Sequence, residues 1–95
     1  MVSTAPAHPN LETAIGLGET ALRRGADVYL YLIDDAVAAV EDPRLQALAA
    51  QGLKLFVCAY GCQKRRLPPS DKATNCGLVV LTDLINGTER FLALN

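Results

Sequence analysis

Two nearly uncharged, β-branched runs separated by a helix with its own start and stop signals constrain this chain more than any other feature. Val28-Tyr29-Leu30-Tyr31-Leu32-Ile33 is aromatic, β-branched and almost continuously apolar, the pattern of a strand covered on both faces. Leu53 to Ala59 is a second run of the same kind. Asp34 and Asp35 end the first run, and Ala36 to Glu41 followed by Asp42-Pro43-Arg44-Leu45-Gln46-Ala47-Leu48-Ala49-Ala50 reads as a helical region between the two. Asp42 suits the N-cap, Pro43 the first turn, and Gly52 a position past the end. Strand, helix and strand in this order require a right-handed parallel crossover. The sequence therefore predicts an α/β domain with a mainly parallel sheet and helices on both faces.

The flanking segments extend the pattern. Leu11, Ala14, Ile15, Gly18, Ala21 and Leu22 recur at three- and four-residue spacing, so an amphipathic helix follows Pro9 and Asn10. Asn10 suits its N-cap, Glu12 its positive end, Arg23 and Arg24 its negative end, and Gly25 a left-handed stop. Gly16 and Gly18 weaken a helix interior, a cost offset where one of them lets the helix sit close to a sheet. Leu78, Leu81, Leu84 and Ile85 keep helical spacing up to Asn86-Gly87, which predicts a helix over 78–86, and Arg90 to Leu94 reads as a last strand. Only Met1-Val2-Ser3-Thr4 stands before the first helix, so the first strand is expected to be short, with upstream residues of a native chain completing it.

Ninety-five residues make one domain, 1–95. Half the chain is hydrophobic (51%) and 20% is charged, enough apolar material for an interior. A net charge of −1 gives no field to hold a polyanion, so nucleic acid is not an expected partner. The longest apolar run falls well short of the roughly 20 residues that span a bilayer, and no secretory signal opens the sequence. The expected location is cytoplasmic, where Cys58, Cys62 and Cys76 are thiols.

In open parallel sheets, ligands gather beyond the carboxyl ends of the strands. The segment Ser3 to His8, the Asp34-Asp35 pair and Cys58-Ala59-Tyr60-Gly61-Cys62 are expected to converge there. Cys58 has two readings, a small hydrophobe at the end of a buried strand or a reactive thiol. A helix beginning near Tyr60 or Gly61, with Lys64, Arg65 and Arg66 nearby, favours the second by favouring a thiolate. Cys62, four residues on, is a candidate resolving thiol or a spectator. The C-x3-C spacing with one distant Cys is no zinc-knuckle pattern, so no metal is expected. His8 reads as a loop histidine without a role, Asp34-Asp35 as a helix cap, and Lys64-Arg65-Arg66 as a solvated basic loop. Ser3-Thr4-Ala5-Pro6 lacks the glycines of a phosphate loop, and no cofactor is expected.

Taken together, Val2-Ser3-Thr4-Ala5-Pro6, Leu32-Ile33-Asp34-Asp35-Ala36-Val37, Val57-Cys58 with Arg65 seven residues later, and Gly77-Leu78-Val79-Val80-Leu81 leading to Arg90-Phe91-Leu92 span almost the whole chain. In this order they resemble the DsrE/DsrF/DsrH-like family, which includes the TusBCD sulfur-relay subunits and the YchN-like proteins. The resemblance implies a three-layer α/β/α, doubly wound, flavodoxin-like domain that forms trimers or hexamers. It also implies that Cys58 carries sulfur as a persulfide between donor and acceptor proteins, with Arg65 stabilising negative charge, Cys62 discharging the persulfide, and Asp35 and Tyr60 lining the crevice. The chain departs from the family at two points: Cys62 follows Cys58 by four residues where the YchN-like branch has three, and Arg66 stands where the family usually has Gly. Some members lack the sulfur-carrying Cys, so a non-catalytic assembly or regulatory module is the alternative. Persulfide transfer requires that Cys58 Sγ be reachable from solvent.

Overall fold

The computed structural model describes residues 1–68 and 70–95. In chain order it contains α1 (Pro9–Arg23), β1 (Tyr29–Leu32), a 3-10 helix (Asp34–Ala39), α2 (Pro43–Ala50), β2 (Lys54–Cys58), α3 (Ala59–Lys64), β3 (Thr74–Cys76) and α4 (Leu78–Gly87). The strands lie in the order β1-β2-β3 and pair in parallel, with Leu32 opposite Val57 and Cys58 opposite Cys76. Beyond β1 the sheet continues as single bridges, Val2 to Leu32 and Val2 to Leu94, both parallel. Right-handed crossovers put α1, α2 and α3 on one face, and the return past Val2 to Leu94 puts α4 on the other. The result is the expected three-layer α/β/α domain.

The expected first strand is as short as a strand can be. Val2 donates to the Tyr31 carbonyl and accepts from Ile33, both at 3.0 Å. The last expected strand, Arg90 to Leu94, bonds the N-terminal segment through Leu92 and Leu94: the Met1 amino group donates to the Leu92 carbonyl at 2.8 Å, and Leu94 donates to the Met1 carbonyl at 2.8 Å and accepts from Ser3 at 3.1 Å. Leu94 packs against the core, whereas Phe91 and Leu92 are exposed. β3 has three residues, Thr74-Asn75-Cys76, too short and too polar to stand out in the sequence.

Helix ends follow side-chain chemistry. α1 begins two residues before its expected start because Pro9 fits the first turn, having no N–H to leave unbonded. His8, not Asn10, is therefore the cap, with its Nδ1 accepting the Asn10 N–H at 3.1 Å. Asp42 caps α2 as expected, accepting from the Arg44 N–H at 2.8 Å. Arg44 also reaches Glu12 at 2.6 Å, tying the start of α2 to the start of α1. Three helices end in one motif, in which the two residues after the C-cap donate back to the second-last and third-last carbonyls. Gly25 bonds Leu22 and Ala26 bonds Ala21 after α1; Gly52 bonds Ala49 and Leu53 bonds Leu48 after α2; Arg66 bonds Gln63 and Leu67 bonds Cys62 after α3. The motif requires positive φ at its first residue, and the values are 80°, 115° and 56°.

Strand alternation sorts the core. Leu30, Leu32, Leu55 and Val57 face α1 and α2 and are all buried, together with Leu11, Leu45 and Leu48 from the helices. Gly18 is the glycine that permits this packing: a methyl group there would meet Leu53 at 3.2 Å and Leu48 at 3.7 Å. The opposite face carries Tyr29, Tyr31, Lys54 and Phe56, of which only Tyr31 is fully buried. Among the described residues, none after Cys62 is fully buried.

Candidate functional site

The carboxyl ends of β1, β2 and β3 surround a crevice of about 250 Å3, with Asp34, Cys58, Tyr60, Lys64, Arg65 and Leu78 among its lining residues. Cys58 is both the last residue of β2 and the N-cap of α3, and its Sγ accepts the Gly61 N–H at 3.4 Å. An extended residue feeding a helix leaves the first amides of that helix without carbonyl partners, and here the sulfur takes the role that Ser or Asp usually fills. Gly61 lets α3 begin this close to the 3-10 helix, since a methyl group there would lie 3.1 Å from Val37 Cγ1. Asp34 turns the chain out of β1 with φ of 52°, a left-handed conformation that Asp tolerates better than most residues.

Cys58 is only 3% exposed. It lies in the crevice wall, with strongly exposed Tyr60 (69%) beside it. Asp35 and Arg65, both expected in the crevice, form an ion pair: Arg65 Nη2 and Nε donate to Asp35 Oδ1 at 2.9 and 3.2 Å. The pair joins the 3-10 helix to the end of α3, and Arg65 Nη1 also donates to the Gly61 carbonyl at 3.4 Å. Arg65 borders the crevice with its charge already matched by Asp35. Cys62 is buried, 6% exposed, in the core on the α3 side. The segment Ser3 to His8 does not line the crevice; Gly77 and Leu78, at the start of α4, take its place. Ser3 instead bonds Asn95 Oδ1 at 2.9 Å, and His8 is used in capping.

Tyr31 is the residue at this site that sequence reasoning missed. Its ring crosses β2 and its hydroxyl donates to the Gly77 carbonyl at 3.1 Å and lies 3.4 Å from the Cys76 carbonyl. The available signal was a tyrosine inside an otherwise buried apolar run, whose hydroxyl must find partners. Burial, reinforced by the two thiols, pushes its ionisation well above the ordinary phenol range, so it stays a neutral donor. Burial also pushes up the Cys62 thiol, assisted by Cys58 and opposed by Arg65. The Cys76 thiol is raised by burial too, with the Tyr31 hydrogen bond opposing. Among the described residues, no three His, Cys, Asp or Glu side chains are grouped to hold a metal ion.

The fold has a known counterpart. The crystal structure of the ychN protein from E. coli superimposes on this chain with a TM-score of 0.74 and 25% sequence identity, over 98% of this chain and 95% of that one. No protein-family model matches the chain, and no curated protein matches it. The structural likeness agrees with the fold that the sequence motifs implied.

A second, larger crevice of about 740 Å3 lies at the opposite end of the strands, bordered by Leu17, Tyr29, Leu84, Phe91 and Leu92. It holds none of the thiols. No described helix is long and apolar enough to cross a membrane.

Proposed function

We propose that this chain carries sulfur as a persulfide on Cys58, passing it from a donor protein to an acceptor thiol in the cytoplasm. The observation that carries the reading is the position of Cys58: it ends the central strand of the β1-β2-β3 sheet, its sulfur faces a backbone amide, and it borders a crevice beside Tyr60, Lys64 and Arg65. The ychN-like fold supports the same reading. In the transfer, the Cys58 thiolate attacks the outer sulfur of a donor persulfide. The donor sulfur–sulfur bond breaks, the donor departs as a thiolate, and Cys58 holds the extra sulfur until an acceptor thiolate takes it by the same exchange. Arg65, fixed by Asp35, borders the site of negative charge, and Tyr60 stands at its open side. The exposed apolar side chains of α4, with Val79 76% and Leu78 58% exposed, favour a homo-oligomer, trimeric or hexameric, in which that face is covered.

The near-complete burial of Cys58 favours a second reading, a non-catalytic assembly module of the same fold. One experiment separates the two. After exposure to a persulfide donor, the native protein is expected to gain about 32 Da, one sulfur atom, and Cys58→Ser to gain nothing. An unchanged mass, together with a Cys58 inert to alkylation in the folded state, would leave the scaffold.

A further inference from the structure

We propose that Cys76, and not Cys62, is the thiol that pairs with Cys58, and that the pair closes to a disulfide by expelling the carried sulfur as sulfide. The discharge step rests on the persulfide reading above; the pairing does not.

Three observations place these two thiols together. Cys58 and Cys76 are register partners at the ends of adjacent parallel strands. Such partners lie about 4.8 Å apart at Cα, inside the range of about 4.4–6.8 Å that disulfides span. Side chains of register partners also share a face of the sheet, here the face that carries Tyr31 and Phe56. Finally, the Tyr31 hydroxyl, from β1, donates to the Gly77 carbonyl at 3.1 Å and lies 3.4 Å from the Cys76 carbonyl, at the turn after β3. That hydrogen bonding holds the end of β3 against β2 at the height of Cys58. Cys76 is also half-buried where Cys62 is fully buried, so its sulfur has more room to rotate. Raised by burial, the Cys76 thiol is mostly protonated at neutral pH, which makes the closure slow and leaves time for transfer to an acceptor.

The step balances without an outside oxidant. The Cys76 sulfur attacks Cys58 Sγ, the bond from Sγ to the terminal sulfur breaks, and that sulfur leaves as HS− with the electron pair and the proton that Cys76 gives up. The two cysteine sulfurs are oxidised to a disulfide and the carried sulfur is reduced to sulfide. A chain left loaded with no acceptor would thus empty itself and stay closed until a thiol reductant reopened it.

Two arms on the intact protein test this. In the first, the folded chain is oxidised with diamide and mapped by peptide mass spectrometry. A Cys58–Cys76 cross-linked peptide, with a loss of about 2 Da from the whole protein, is expected. A Cys58–Cys62 link, or no link through Cys58, overturns the pairing. In the second, inorganic polysulfide loads Cys58 and excess is removed. Wild type and Cys62→Ser are expected to lose the added sulfur as sulfide, while Cys76→Ser keeps it at least about tenfold longer. Equal lifetimes overturn the discharge. Cys76→Ala, checked for native circular dichroism, replaces the serine variant should that misfold. If diamide gives the Cys58–Cys76 link but Cys58 never accepts sulfur in any variant, the pair stands and the persulfide reading fails.

Discussion

The part of the chain up to Cys62 and the part after it contrast in how they satisfy the same physical needs. Among the described residues, every fully buried one lies in the first, although α4 is the most apolar of the long helices and contains Leu78, Val79, Val80, Leu81, Leu84 and Ile85. The first part ends its helices on Gly25 and Gly52, at φ of 80° and 115°, whereas the second ends α3 with the same hydrogen bonds on Arg66 at 56°. One face of the sheet is closed by α1 and α2; the other has a single helix over a sheet several strands wide. Folding stability is thus concentrated in the α1–β2 half; the later half holds the exposed apolar helix and the left-handed Arg66, and the crevice lies where the two meet, lined by Asp34 and Cys58 from the first and Arg65 and Leu78 from the second. Regions of low local burial are where functional surfaces are commonly drawn from.

The contrast can be broken by substitution. Leu32→Ala, at a fully buried β1 position, is expected to cost about 2–5 kcal/mol, read as a lower urea midpoint; a loss below about 1 kcal/mol would mean that the first half does not dominate the core. Gly52→Ala places a side chain at φ of 115° and should cost about 1–3 kcal/mol in the same measurement. Arg66→Gly should do the reverse, raising stability by up to about 1 kcal/mol because it relieves the left-handed conformation, less the extra freedom it gives the unfolded chain. Val79→Ser, on the exposed face of α4, should change monomer stability by less than about 0.5 kcal/mol. It should nonetheless lower the oligomer mass seen by light scattering if that face joins subunits.

Alkaline titration sharpens the same picture. The Cys62 and Cys76 thiols are raised in the folded chain above the ordinary value of 9.0. As pH rises past that value, the unfolded chain releases these protons first and the folded chain binds more of them. Their contribution to stability is therefore complete below about pH 9 and declines through the folded values above it. The urea midpoint should fall from pH 8 to pH 10, and less so in Cys76→Ala than in wild type.

Much of the fold was legible because local signals agreed with one another. Pro43 after Asp42, Gly52 after the helix, and the apolar runs on either side all specify one crossover, and the structure forms it. The helix from 78 was legible by spacing and runs Leu78–Gly87. What failed was local in a different way. Pro9 moved the start of α1 and gave His8 the capping role, a shift of two residues that caps decide and periodicity does not. The segment Arg90 to Leu94 has strand composition but only the short stretch Met1 to Ser3 to pair with, so it forms a single bridge and one further bond at Leu92.

At the candidate site, the sequence placed Cys58 at the carboxyl end of a strand and Tyr60 and Arg65 beside it, since a strand followed at once by a helix leaves little freedom over what lies at the junction. It could not give the burial of the Cys58 sulfur, the pairing of Arg65 with Asp35, or the presence of Tyr31 and Cys76, because each depends on which strands are neighbours and in what register. Elements and their order follow from propensities within a few residues. Which groups meet across 19 or 45 positions of chain, as the Cys76 thiol meets the Val57 carbonyl and the Tyr31 hydroxyl the Cys76 carbonyl, is settled only when the sheet assembles, because packing chooses among partners that local chemistry leaves equivalent.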